Sequence, residues 1–329
     1  MDLLIGDPRW APHPVELMGS LISRLRQHVE ALVGDNIWGL RVGGILITTT
    51  LILISGFCGW LLERLTLPNS PFPQFLGLIF LVLGMASTIA ARSLRESVLE
   101  VLKELKPPIK DPSLQSVRKK LSQIVGRDVS MLNKPEILRG AAETASENSI
   151  DGVFAPLFWM VIGAALWKIS TDLPGPLALG FVFKASSTMD SMIGYQHGRL
   201  KWLGTASARL DDVLAWLPCR IVMFTLPLVS QPIKKMPALV SAAWLDGSKD
   251  SSPNAGISEA IFAYCAEVKM GGENIYKGTS IIKPTLAKNA PEANIESVKR
   301  ILTLSLRLEL AWLTLITMVI CYLAISGVQ

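Results

Sequence analysis

The residues best equipped for chemistry in this chain are acids set beside apolar runs. Glu143, Glu147 and Asp151 fall at i, i+4 and i+8, so on a helix they form one acidic stripe. The residues that follow, from Val153 to Phe158, are apolar enough to enter a bilayer. Acids placed where a helix meets a membrane are costly unless a cation sits with them. A Mg²⁺ ion or a cationic substrate meets that need. The plainer account pairs Glu143 with Arg139, one turn earlier. Such an exposed pair contributes only about 0.3–0.5 kcal/mol, and it leaves Glu147 and Asp151 without a role.

Four further stretches combine polar groups with apolar flanks. Lys184 to Tyr195 is rich in hydroxyls and holds Lys184, Asp190 and Ser191; its bland reading is a polar loop with a helix cap at Ser187 or Thr188. Arg209 precedes the paired acids Asp211 and Asp212, and Pro218-Cys219-Arg220 follows. Adjacent acids at the start of an apolar helix suit its N-terminal dipole. Beside Arg209 they also suit a Mg²⁺–phosphate site, because Mg²⁺ takes few carboxylates and keeps water or phosphate ligands. In Asp250 to Glu259, Ser252 reads as an N-cap with Pro253 at the first helical position. Asn254 and that helix start could hold an anion. Gly271 to Gly278 is only loosely like a phosphate loop, and a helix C-cap turn explains it more simply. The chain has no GxxxxGK[ST], GxSxG or HExxH pattern. An enzyme built from it works through carboxylates, Arg and Lys, with Mg²⁺.

The elements that hold these residues are membrane helices. Of the 329 residues 50% are hydrophobic and only 18% charged, against about 25% charge in soluble domains. The apolar residues are gathered into runs. Val42–Leu62 and Phe75–Ala91 read as a transmembrane hairpin turning at Leu67–Pro73. Val153–Ile169 reads as a third span and Ile301–Ile325 as the last. Leu177–Phe183 is too short to cross. Val213–Val229 contains Pro218, Arg220 and Pro227, so it reads as a broken or re-entrant helix lining a polar cavity.

Residues 1–41 divide into a proline-stiffened loop, extended or turning from Arg9 to Val15 and holding His13, and an amphipathic helix over 17–33. The acidic start has no basic region and predicts no signal peptide. Residues 92–150 are the most basic connection, with helices over 92–105 and 113–125 around a Pro107-Pro108 break. The positive-inside rule puts them, and the N-terminus, in the cytoplasm. Residues 151–229 carry transmembrane and re-entrant helices with site loops, 230–300 a cytoplasmic helical segment, and 301–329 the last span. The fold class is all-α: one polytopic membrane bundle with cytoplasmic helical segments.

The net charge of +5 is spread over loops and leaves no nucleic-acid footprint. Cys58, Cys219, Cys265 and Cys321 have no CxxC spacing and read as reduced thiols packed as small hydrophobes.

Together these motifs resemble the CobD/CbiB family, the membrane cobinamide-phosphate synthases of cobalamin biosynthesis. Gly6-Asp7-Pro8-Arg9-Trp10 with His13-Pro14-Val15 and Met18-Gly19 is similar to the family's opening. Val125-Gly126-Arg127-Asp128, Glu143–Phe158, Thr188–Tyr195, Ala208–Asp212, Ser252–Gly256 and Gly271–Tyr276 follow in family order. Ala215 stands where the family usually has Asn, and Cys219 where it has Ala.

The resemblance implies an ATP-dependent amide ligase. It joins a propionate carboxylate of adenosylcobyric acid to (R)-1-amino-2-propanol, as its O-phosphate, and so makes adenosylcobinamide phosphate. A carboxylate does not react with an amine at neutral pH, and ATP can convert it to an acyl phosphate. Mg²⁺ and cationic side chains offset the charge on the transferred phosphoryl group. Glu143, Glu147, Asp151, Asp190, Asp211 and Asp212 are then candidates for metal ligation and for the base. The metal-ligand candidates among them are Glu147, Asp151, Asp211 and Asp212. Arg127, Lys184, Arg209 and Arg220 are candidates for phosphate or propionate contacts, and His13, Asn148, Ser191 and Asn254 for orienting substrate. The expected surroundings are the cell membrane, with the site on its cytoplasmic face, and other corrinoid-pathway enzymes as possible partners. A corrinoid carrier or a non-catalytic scaffold for such enzymes are the competing readings.

Overall fold

The computed structural model describes residues 13–106, 113–276 and 278–326. The Gly6–Trp10 motif, the extended reading of residues 9–12 and the Pro107-Pro108 break lie outside them. Among the described residues, five helical stretches are long and apolar enough to cross a membrane: Ile37–Arg64, Gln74–Glu104, Lys134–Ile169, Thr205–Ser230 and Ile295–Leu323. The all-α polytopic expectation holds.

The chain's internal contacts divide it into two units, interleaved in sequence. One takes the chain up to Ala90 together with Ala155–Ala215; the other takes Ala91–Phe154 with Trp216 onward.

The first unit contains α1 (Pro14–Val33), α2 (Ile37–Arg64) and α3 (Gln74–Thr88). Its later segments lie beyond α4 (Ala91–Glu104), α5 (Gln115–Leu121), α6 (Lys134–Ser149) and a π-turn at Ile150–Phe154, all of the second unit. They are α7 (Ala155–Ile169), α8 (Pro176–Ile193), the short α9 (Leu200–Leu203) and the start of α10 (Thr205–Ser230). His13 is not in a loop detached from the helix: it is the N-cap of α1, its Nδ1 accepting from Val15 N at 3.3 Å, with Pro14 at the first position. Val15 is therefore helical rather than extended.

Close helix contacts in this unit depend on small residues, as membrane bundles require. A Cβ at Gly44 would overlap the carbonyl oxygen of Leu203, and one at Gly59 would press on the backbone of Ala178. Between these glycines, Ile47 and Leu51 of α2 pack into a core with Leu177, Phe181 and Met189 of α8.

The run from Leu177 is longer than its apolar part suggests. It continues through the polar stretch as one 18-residue helix, so no cap exists at Ser187 or Thr188. Its hydroxyls turn back onto the helix, Thr188 Oγ1 donating to Lys184 O at 2.7 Å and Ser191 Oγ to Thr188 O at 2.9 Å. Gly175, the N-cap of α8, has no side chain to satisfy the first amides. Glu63 of α2 does so instead: its carboxylate accepts from Gly175 N (2.9 Å), Leu177 N (2.6 Å) and Ala178 N (3.0 Å) and is fully buried. Glu63→Ala orphans all three donors and is expected to cost about 2 kcal/mol. Thermal unfolding in detergent should show that loss, and a smaller one for Glu63→Gln, which keeps an acceptor.

The second unit continues with the rest of α10, a 3₁₀ turn at Ile233–Lys235, α11 (Met236–Gly247) and α12 (Ala255–Ala266). A two-stranded hairpin, β1 (Met270–Tyr276) and β2 (Thr279–Leu286), and α13 (Ile295–Ile325) complete it. The helices expected near 236–246 and 256–269 are present, and the hairpin adds strands to a segment read as helical and corrects the C-cap reading of Gly271–Gly278. The cap is instead Glu267, left-handed at φ 54°, at the end of α12. Gly271 (φ 79°) and Gly272 (φ 93°) form a bulge at the start of β1, a backbone that residues with a Cβ rarely adopt.

Three other expectations change. Residues 213–229 belong to one continuous helix, α10, which takes Pro218 and Pro227 inside it rather than breaking at them. Asp211 and Asp212 lie nearly two turns into that helix, not at its start. Ser252 caps α12 from two residues further back than expected, accepting from Asn254 N (3.3 Å) and Ala255 N (3.1 Å), with Asn254 as the N-cap residue. All four cysteines are free, but only Cys219 and Cys265 are packed inside; Cys58 and Cys321 are exposed on spanning helices.

Candidate functional site

The candidate residues fall into two groups, one in each unit. In the first unit, His13, Asp190, Ser191, Arg209, Asp211 and Asp212 lie on segments that meet at one end, whereas Lys184 stands midway along α8. Gly19 of α1 approaches Met192 at the end of α8, and a Cβ at Gly204 would overlap the carbonyl of Ile193. The start of α1, the end of α8 and the start of α10 therefore meet there. Lys184, Asp190, Asp211 and Asp212 are half-buried, while Ser191 and Arg209 are exposed. Arg209 interacts electrostatically with Asp212.

In the second unit a chain of buried ion pairs ties α6 and α12 to the hairpin. Glu143 is 1% exposed. Its Oε2 meets Arg127 Nη2 in a short ion pair, and its Oε1 accepts from Gly271 N at 2.8 Å. The glycine bulge makes the second contact possible by turning that amide toward α6. Arg127 also donates to Asn274 Oδ1. Arg139 donates to Gly271 O and Glu273 O, both at 2.7 Å, and to Asn274 Oδ1 at 3.2 Å. Its Nε lies 3.8 Å from Glu143, so the i,i+4 pair is the lesser part of what both residues do. Burial alone would lower the Arg127 pKa, but Glu143 raises it. Glu143 and Arg127 are thus engaged by the protein itself and hold the hairpin against α6.

The next members are Lys283, which pattern reading passed over, and the two acids that bound the Asp250–Glu259 stretch, to which it gave no role. Lys283 of β2 meets Glu259 of α12 at 3.0 Å and Asp250 at 3.9 Å. Glu259 is 1% exposed, whereas the Lys283 side chain is 20% exposed. Burial, with Glu143 and Glu147 adding to it, pushes Glu259 up to about 8, against the pull of Lys283. Burial opposes the charge on Lys283, but Glu259, Glu147 and Asp250 raise its pKa and keep it cationic. The signal available for Glu259 was a lone acid in the apolar helix 255–266. Lys283 stands between Ile282 and Pro284, where no pattern marks it.

Glu147, Asn148 and Asp151 are half-buried, and Glu147 interacts electrostatically with Glu259 and Lys283. The acidic stripe is not one straight face. α6 ends at Ser149 and Asp151 falls in the π-turn, whose wider winding changes the phase of the helix. Asn148 Nδ2 donates to Thr144 Oγ1 at 3.0 Å. Arg220 and Asn254, of the same unit, are hydrogen-bonded to each other. Among the described residues, no three acid, His or Cys side chains converge as a metal cage. Mg²⁺ needs no such cage, since it takes one or two carboxylates and completes its shell with water and phosphate oxygens. The half-buried acids Glu147 and Asp151, or Asp211 and Asp212, fit that requirement.

A carboxyl pKa raised by folding stabilises fully below the unfolded value of 4.5, and the stabilisation is lost as pH rises through about 8. The melting temperature should therefore carry a downward component between pH 5 and 8.5 that Glu259→Gln removes. Parallel profiles for the two proteins would refute this.

These features define a multi-pass membrane protein with acid- and cation-bearing sites set into its helices. The chain matches the family model described as CobD/Cbib protein over residues 1–305, and it belongs to the CobD/CbiB family. It is 38% identical to "Cobalamin biosynthesis protein CobD" of Synechocystis sp. over 298 residues, 91% of this chain and 82% of that protein. It is 33% identical to the protein of the same name from Yersinia enterocolitica, over 100% of this chain and 96% of the relative. It is 34% identical to "Cobalamin biosynthesis protein CbiB" of Salmonella paratyphi B, over 92% and 89%. No solved structure matches the chain.

Proposed function

We propose that this protein is an ATP-dependent amide ligase of cobalamin biosynthesis, joining a propionate of adenosylcobyric acid to aminopropanol O-phosphate. The match to the CobD/CbiB family across residues 1–305 carries this reading. The site chemistry supports it, because condensing an acid with an amine needs both anion-binding cations and acids. Lys283, kept protonated and partly exposed, offers a phosphate contact; Glu259 and Asp250 position it. Glu147 and Asp151 offer the carboxylates that would hold Mg²⁺ and receive the proton of the attacking ammonium. Arg209, Asp211 and Asp212 form a second polar group of the same kind. When bound, Mg²⁺-ATP supplies the activation that the propionate lacks. The protein lies in the cell membrane, with these groups on the cytoplasmic face where ATP is.

The purified protein should release phosphate from ATP only when both corrinoid acid and amine are present. Asp211→Asn should lower that turnover by about 10²-fold or more. A scaffold would tolerate the substitution, and a carrier would show no nucleotide turnover at all.

A further inference from the structure

The start of α2 gathers cations and indoles that the candidate site does not use. The spanning stretch begins at Ile37, and Arg41 follows one turn later. Its guanidinium lies over two indoles, 5.4 Å from the ring centre of Trp38 and 4.8 Å from that of Trp202. Trp38 is one turn earlier on α2, and Trp202 comes from α9. α9 comes this close because Gly44 carries no side chain: a Cβ there would overlap Leu203 O. Lys201 adds a second cation, its Nζ 5.2 Å from the ring centre of Trp202. The fold does not balance this charge. Arg41 Nε is buried without an acceptor, and among the described residues no carboxylate pairs with Arg41 or Lys201. Asp35, in the turn before α2, is engaged by Arg199 at 2.7 Å, and Glu30 by Arg26 at 2.8 Å. A guanidinium whose faces lie over indoles keeps its N–H edges for an anion, and the planar fork suits phosphate oxygens. Beyond Arg41 the helix is bare. Ile45, on the same stripe as Trp38 and Arg41, is 54% exposed, Val42 beside it is exposed too, and Trp38 is 72% exposed. On a spanning helix such apolar residues meet acyl chains, with Trp and Arg at headgroup height.

We propose that Arg41, Lys201, Trp38 and Trp202 form a binding site for one anionic phospholipid, with its phosphate on the Arg41 fork and an acyl chain along Val42 and Ile45. A free phosphate would satisfy the cations alone. A lipid also covers the exposed apolar residues that continue the site along the span. Two cations without a nearby free acid favour an anionic headgroup over one that carries its own ammonium. None of the four side chains belongs to the residues assigned to ligation, so the site is independent of that reading.

The test is native mass spectrometry of the full-length protein in detergent, stripped of lipid and titrated with phosphatidylglycerol or phosphatidylcholine. Wild type should bind one phosphatidylglycerol about tenfold more tightly than phosphatidylcholine. Arg41→Gln and Lys201→Gln should each lower the phosphatidylglycerol affinity by about fivefold and leave phosphatidylcholine unchanged. The double variant Lys234→Gln with Lys235→Gln, which removes two exposed cations of the 3₁₀ turn, should change neither. Equal affinity of wild type for the two lipids overturns the site. So does an unchanged preference in Lys201→Gln, a variant at an exposed position that the fold tolerates. A loss in the double variant as large as that in Arg41→Gln would mean unspecific charge attraction and would overturn it as well. Glycerol 3-phosphate displacing the lipid at equal concentration would make this a free-phosphate site and refute the lipid assignment.

Discussion

Arg127→Met should destabilise the second unit by about 3–5 kcal/mol, the usual consequence of leaving one partner of a buried ion pair without its counter-charge. Glu143 would remain 1% exposed, with the Gly271 amide and a distant Arg139 as its only compensation. The hairpin should loosen first, because the Arg127 contacts to Glu143 and Asn274 are, with those of Arg139, what hold β1 to α6. Limited proteolysis should show early cleavage within residues 270–286, and thermal unfolding in detergent a large fall in midpoint. The double variant Arg127→Met with Glu143→Leu removes both charges and should recover part of the loss. A single variant that melts with wild type would show that the pair contributes nothing.

The second large effect is expected at Lys283, where stability and turnover can be separated. Lys283→Met leaves Glu259 and Asp250 buried without their cation, so the single variant should be both unstable and inactive. Adding Glu259→Gln removes the more deeply buried of the two acids and should restore part of the stability. Turnover should remain down by about 10²–10³, because the phosphate contact is still missing. Stability and turnover recovering together in the double variant would make Lys283 a purely structural residue.

Much of this organisation is legible in the sequence, and the parts that are not have physical reasons. The apolar runs mark the spans because a bilayer demands about 20 uncharged residues. The extra length of α8 is hidden because Lys184 to Asp190 looks like a loop in composition. Its hydroxyls instead donate to their own helix, which lets a polar stretch stay helical. Pro218 and Pro227 suggest a break, yet α10 accommodates both. The hairpin is illegible for the opposite reason. Gly271 and Gly272 signal a turn, and nothing local reveals that Glu143, 128 positions away, captures the bulged amide.

The candidate site shows the same division. Glu143, Glu147 and Asp151 stand out by spacing, but spacing cannot show that Glu143 is the one buried in the ion pair that holds the hairpin. Arg139 pairs with Glu143 by the i,i+4 rule and in fact mainly serves the hairpin carbonyls. Glu259 and Lys283 come from elements far apart in the chain, so only the folded structure brings them together. Glu63 is similar: at the end of α2 it looks like an interfacial acid, and its purpose appears only with the bare N-terminus of α8.

The most direct test of the proposed reaction is the mass of the corrinoid after incubation of the purified protein with adenosylcobyric acid, Mg²⁺-ATP and aminopropanol phosphate. The ligase predicts a product heavier by one aminopropanol phosphate minus one water, formed with consumption of nucleotide. Corrinoid that stays bound at its original mass, with free aminopropanol offered as well, would contradict it and favour a carrier or scaffold.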